Sequence, residues 1–182
     1  MTMIDTILKI DHKLSARLLI PQENKLLRSA AAFFAHSGDS WFLVVGLFVI
    51  WLTSKGFWHV TAALLAGSIV FQACFVLAIK FLIQRRRPEG EWGEIYRKTD
   101  PNSFPSGHAV RACMLAVMTW GLHLYPLCWI LAIWAPLVSL ARVALGVHYL
   151  VDVAAGWLLG FLIGITMLQL YPLFVRLLPF VF

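Results

Sequence analysis

Three short stretches of this chain carry residues whose types and spacing suit chemistry on a phosphate. They are Lys80 with Arg87 and Pro88, then Pro105-Ser106-Gly107-His108, then Arg142 with His148 and Asp152. His148 and Asp152 are four apart, so on a helix their side chains share one face. A carboxylate that accepts a hydrogen bond from one imidazole nitrogen fixes the tautomer and leaves the other nitrogen free to attack. Alone, His148 reads more readily as a helix-start histidine with structural hydrogen bonds. Asp152 is harder to dismiss, because an ionisable group at the start of an apolar segment is costly without a partner.

Ser106 and Gly107 precede a helix, where backbone N–H groups bind anions and a glycine permits close approach. The competing reading is an ordinary cap, with Ser106 satisfying its own helix. His108 is placed to act as a general acid. Lys80, Arg87 and Arg142 supply positive charge, and an Arg fork matches phosphate oxygens bidentately. Arg85-Arg86-Arg87 also reads as a basic cluster that sets membrane topology. Arg111, one turn after His108, either pairs structurally or touches a second phosphate. His12, His36, His59 and His123 receive no chemistry. The spacings suit neither a zinc helix nor a paired-carboxylate magnesium site, so no metal or cofactor is expected.

The elements that must position these residues are apolar. Of the 182 residues 60% are hydrophobic and 13% charged, against about 25% charged in soluble domains. With a mean hydropathy of +0.80 the chain reads as an all-α integral membrane protein. Full spans are expected over 40–53, 57–83, 106–123, 126–144 and 149–171, with Pro172 opening a short C-terminal piece. A helix over 24–36, ended at Ser37-Gly38-Asp39, is too short to cross unaided and is expected to insert in part. That makes five spans and a six-helix core. Apolar residues 4, 7, 8, 14 and 18 describe an interfacial amphipathic helix over 1–20, leaving 21–182 as the membrane-embedded domain. Polar residues interrupt the first twenty positions too often for a cleaved signal peptide. The only long polar connection is 84–104. Cys74, Cys113 and Cys128 lack paired spacing and are expected as buried small hydrophobes.

Alternating spans bring all three stretches to one membrane face. The net charge of +6 is spread beside apolar spans, which argues against nucleic-acid binding. The partners expected are the bilayer and a lipid phosphate, and nothing sets an oligomeric state.

The three stretches together resemble the type 2 phosphatidic acid phosphatase superfamily, whose site is shared with vanadium haloperoxidases. Its pattern is Lys-x6-Arg-Pro, Pro-Ser-Gly-His and Ser-Arg-x5-His-x3-Asp. This chain matches throughout except that Ala141 stands at the Ser position, removing a secondary hydrogen bond. The resemblance implies a metal-independent phosphatase with a phosphohistidine at His148 and acid–base work by His108. It implies phosphate held by Lys80, Arg87, Ser106, Gly107 and Arg142. Members act on phosphatidic acid, phosphatidylglycerol phosphate, prenyl diphosphates or lipid A, and an Arg at the Arg111 position looks like some prenyl-diphosphate members. The expected location is a bacterial cytoplasmic membrane. If the N-terminal region lies opposite the motifs, loop cations number four against seven once the three motif cations are set aside. That favours an extracytoplasmic site. A vanadate-dependent haloperoxidase and a non-catalytic phospholipid-binding protein are the alternatives.

Overall fold

The computed structural model describes residues 3–89, 92–93 and 100–182. Glu91, Glu94, Arg97 and Lys98 of the polar connection lie outside the described residues, as does the side chain of Ile4. Among the described residues there are seven helices: α1 (Met3–Arg17), α2 (Lys25–Ser37), α3 (Ser40–Thr53), α4 (Phe57–Ile83), α5 (Gly107–Gly121), α6 (Leu127–Ala144) and α7 (Leu150–Leu177). The protein is an all-helical integral membrane protein. By length and composition α4, α6 and α7 can each cross a bilayer, and α2 with α3, bent by 49° at their break, can form a fourth crossing.

The expected five full spans are therefore not all present as long helices. Helix α3 has 14 residues and α5 has 15, reaching roughly 20 Å each against a hydrocarbon core of about 30 Å. Helix α5 can be short because its middle is sheathed by protein: Ala109, Val110, Ala112 and Met114 have no exposed surface. The expected stop before Pro172 is also absent, and α7 continues through it to Leu177. In a long apolar helix a proline costs one backbone hydrogen bond without ending the segment.

Helices α5 and α7 form the centre of the bundle. Gly156, Gly160 and Gly164 recur every fourth residue and present one bare stripe of α7 to α5. A Cβ on Gly156 would meet Ala109 Cβ at 2.9 Å, and one on Gly160 would meet the Val110 carbonyl oxygen at 2.4 Å. This contact draws the two helix starts together, where the Ser106 N–H donates to the Asp152 carbonyl at 3.0 Å. The packing thus sets two of the three motifs side by side.

Helix α1 turns its polar face to the bundle. Asp11 and Ser15 are buried, while Ile7, Leu8, Ile10, Leu14 and Leu18 are exposed. The Leu150 N–H donates to Ser15 Oγ at 2.9 Å and the Val151 N–H to Asp11 Oδ1 at 3.1 Å, so α1 caps the first turn of α7. The Ile20 N–H reaches the Ala144 carbonyl at 3.0 Å. The N-terminal segment therefore lies at the same end as the motifs. The premise of the extracytoplasmic expectation fails, and the charge argument lapses with it. Of the cysteines, Cys113 and Cys128 are buried as expected, but Cys74 is exposed on α4.

Candidate active site

Lys80 lies in the last turn of α4, Arg142 in the last turn of α6, and His108 in the first turn of α5. His148 falls in the tight connection between α6 and α7, where the N–H groups of Val147 and His148 both donate to the Arg142 carbonyl, at 3.0 and 3.2 Å. Gly146 at φ +69° makes that reversal possible, two residues past the end of α6. Residues from the start of α3, from α4, the polar connection, α5, α6 and the α6–α7 turn thereby enclose one cavity of about 190 Å³. Lys80, Arg87, His108, Arg111, Arg142 and His148 all line it. Leu77, 51% exposed, also lines it, so the cavity reaches the lipid-facing side of α4.

The His148 ring is buried at 1% exposure. Arg87 Nη1 lies 3.1 Å from His148 Nε2. A guanidinium only donates, so Nε2 carries the lone pair and the proton of the neutral ring sits on Nδ1. Nδ1 faces Asp152 Oδ2 at 3.6 Å. Burial, then the charges of Arg87, Arg142 and Lys80, hold the His148 imidazole well below its ordinary pKa, so it is neutral at pH 7. Asp152 is itself fixed: the Tyr149 N–H donates to Oδ2 at 2.9 Å and Arg85 Nη1 to Oδ1 at 2.7 Å.

Arg87 extends further, with Nε on the Asp100 carbonyl at 2.7 Å and Nη2 on its carboxylate at 2.7 Å. Lys80 pairs with the same carboxylate. One acidic side chain from the polar connection thus occupies two of the three cations expected to hold phosphate.

Gly107 lines the cavity, whereas Ser106 does not. Ser106 is fully buried and its Oγ accepts from the Ala109 N–H at 3.5 Å, which is the ordinary-cap reading. Arg111 directs Nε and Nη2 to the Gly38 carbonyl at 2.8 and 2.5 Å, so its clearest role is structural, although it also borders the cavity. Ala141 packs with Ala31, Ala35, Leu145 and Val147, filling with methyl contacts the place of the absent hydroxyl.

Sequence reasoning missed three acidic or basic partners. Arg85, treated as part of a topogenic cluster, bridges Asp152 to Asp11, with Nη2 to Asp11 Oδ2 at 2.6 Å. It also lies 4.2 Å over the Tyr149 ring, which stacks with His12 at 4.4 Å between centroids. Asp39, treated as a turn residue, accepts from His108 Nε2 at 2.8 Å. His36, assigned no chemistry, holds the other Asp39 oxygen at 3.2 Å.

Residues 61–176 match the model of the PAP2 superfamily, a range that contains every motif residue of the cavity. The chain belongs to this superfamily. It is 38% identical over 100 residues to the decaprenylphosphoryl-5-phosphoribose phosphatase of Mycobacterium tuberculosis, covering 54% of each chain. It is 40% identical over 106 residues to an undecaprenyl-diphosphatase of Sulfolobus acidocaldarius, covering 53% of this chain and 51% of that one. The matches thus span about half the length of these relatives. In fold, the protein is similar to a transmembrane PAP2-type phosphatidylglycerolphosphate phosphatase from Bacillus subtilis. The TM-score is 0.75 at 24% identity, over 94% of this chain and 89% of the other.

Proposed function

We propose that this PAP2-superfamily protein is a phosphatase of membrane lipid phosphates that works through a phosphohistidine on His148. The observation that carries the reading is the buried, neutral His148 ring, with its Nε2 lone pair facing a cavity walled by Lys80, Arg87 and Arg142 and its Nδ1 facing Asp152. The phosphate displaces the Asp100 carboxylate from Lys80 and Arg87, and the guanidinium that caps Nε2 turns to the phosphoryl oxygens. Nε2 then attacks phosphorus, the P–O bond to the lipid breaks, and His108 gives a proton to the departing oxygen. Asp152 stabilises the cationic character that develops on the His148 ring. Water next attacks the phosphohistidine, returns a proton to His108, and releases inorganic phosphate. The cations serve the charge on the equatorial oxygens in both steps. Gly107 supplies the helix start that faces the phosphate, and Ser106 caps that helix behind it.

The opening along Leu77 favours a substrate with an apolar tail. The names of both curated relatives favour a polyprenyl-linked phosphate or diphosphate over phosphatidic acid. Arg111, which borders the same cavity, is then available to a second phosphate. We place the protein in a bacterial cytoplasmic membrane, with α1 in the headgroup layer, its exposed apolar side chains toward lipid.

Phosphate release tests this reading with phosphatidic acid, phosphatidylglycerol phosphate and undecaprenyl diphosphate in detergent, each with EDTA and with His148→Ala. The expected result is release that survives EDTA, is abolished by His148→Ala and is fastest on the prenyl diphosphate. Activity lost with EDTA, or retained by His148→Ala, contradicts the mechanism. Halide oxidation on adding vanadate favours the haloperoxidase alternative.

A further inference from the structure

We propose that Asp39 is the positioning carboxylate of His108, so that each imidazole of the site faces its own aspartate. The inference rests on the assignment of His108 as the general acid and adds a residue outside all three motifs. Asp39 Oδ1 accepts from His108 Nε2 at 2.8 Å, which leaves Nδ1 for the departing oxygen. His36 Nδ1 holds Oδ2 at 3.2 Å and so fixes the plane of the carboxylate.

Three features show that this contact is built in. Asp39 is the N-cap residue of α3, where an aspartate ordinarily accepts from its own helix, a bond worth about 1 kcal/mol. Here the side chain makes no such cap bond. It is turned across the bundle to α5 instead. The break that carries it is clamped on both sides, by Arg111 on the Gly38 carbonyl and by Trp134 Nε1 on Ser37 Oγ at 2.9 Å. A side chain at Gly38 would press within 3.1 Å of both His108 Cδ2 and Val138 Cγ1, so glycine lets the break close onto the imidazole.

The electrostatics require such a partner. The charged groups facing His108 are Arg111 from its own helix, Arg142 from α6 and Asp39 from the break. Burial and two guanidinium groups oppose an imidazolium there, and the Asp39 carboxylate works against them without outweighing them until a phosphate anion adds its own charge. It also sets the ring so that Nδ1 points toward the departing oxygen.

The test compares first-turnover rates for two leaving groups on the purified full chain in detergent. Dioctanoyl phosphatidic acid releases an alkoxide that needs a proton, whereas p-nitrophenyl phosphate releases a stable phenolate that does not. Asp39→Asn should slow the first by about 100-fold, in the range of general-acid assistance, and the second by less than about threefold. Asp39→Glu should recover at least about tenfold of the alkyl rate. His108→Gln should show the same contrast between substrates. Equal losses on both substrates for Asp39→Asn, or no recovery by Asp39→Glu, overturn the role of Asp39. Equal losses for His108→Gln overturn the general-acid assignment itself. Contrast for His108→Gln without contrast for Asp39→Asn removes the present inference alone.

Discussion

Replacing Arg85 by methionine should damage stability and turnover together, because one guanidinium bridges two buried carboxylates. The side chains of Asp11 and Asp152 are 1% and 0% exposed, and Arg85 reaches both at 2.6 and 2.7 Å. Removing one partner of a buried pair costs about 3–5 kcal/mol. Asp11 keeps the Val151 N–H and Ser15 Oγ, and Asp152 keeps the Tyr149 N–H, so the lower end applies. A loss of about 3 kcal/mol corresponds to a fall of about 6–12 °C in the midpoint of thermal unfolding for a chain of this size. Asp11→Asn leaves the Arg85–Asp152 bridge and should cost less. Because Asp11 and Arg85 touch, the double variant should show a coupling of at least about 1 kcal/mol. The measurements are unfolding midpoints in detergent micelles and kcat on a short-chain lipid phosphate. Arg85→Met within about 0.5 kcal/mol of the parent, with unchanged kcat, would refute the bridge as a support of the site.

Further outcomes follow from the same geometry. His148 binds no proton in the folded protein until well below its ordinary value, whereas the unfolded chain protonates it near about 6.5. Its share of stability is therefore complete above about pH 6.5 and is lost as pH falls below that. The acid limb of kcat/KM set by this nucleophile should lie below the same value, and a limb at or above it would contradict a neutral buried ring. Gly160→Ala places a Cβ 2.4 Å from the Val110 carbonyl oxygen, so α5 and α7 must separate. Overpacking of this kind costs about 1–3 kcal/mol, and an unchanged unfolding midpoint would count against the glycine seam. Asp100→Asn removes the carboxylate that competes for Lys80 and Arg87. Inhibition by inorganic phosphate should tighten by about tenfold, and weaker inhibition would show that Asp100 assists the anion.

Much of the site was legible because its signals are local. His148 and Asp152 share a helix face by spacing alone, and Lys80, Arg142 and His108 each sit at the end of an apolar run. Helices α4 and α6 follow the expected 57–83 and 126–144 segments almost to the residue. The partners of the motif residues were not legible. Asp39 lies 69 residues from His108, and Arg85 lies 67 from Asp152 and 74 from Asp11. Only tertiary packing creates those pairs. Each residue also had a bland local explanation, as a turn aspartate or a topogenic arginine. The usable signal was cost: an aspartate or arginine beside an apolar helix demands a counter-charge.

The five expected spans are not all long helices for a related reason. Helix length was judged against the bilayer, whereas α5 is judged by its neighbours, which cover its middle entirely. The spacing Gly156, Gly160, Gly164 was visible and would have indicated close packing of α7 against another helix, though not against which one. The fate of α1 was half legible. Its apolar residues at 7, 8, 14 and 18 are exposed in the structure, but Asp11 and Ser15, to which the sequence assigned nothing, cap α7.

The central claim is covalent, and trapping the intermediate tests it most directly. Rapid acid-free denaturation of the enzyme during turnover of a ³²P-labelled lipid phosphate, followed by peptide mapping, should place the label on His148. The label should be acid-labile and absent from His148→Ala, and His108→Gln should prolong its lifetime, because the water that removes it loses its base. Label on another side chain, or full turnover with no labelled protein at any time, would contradict the account.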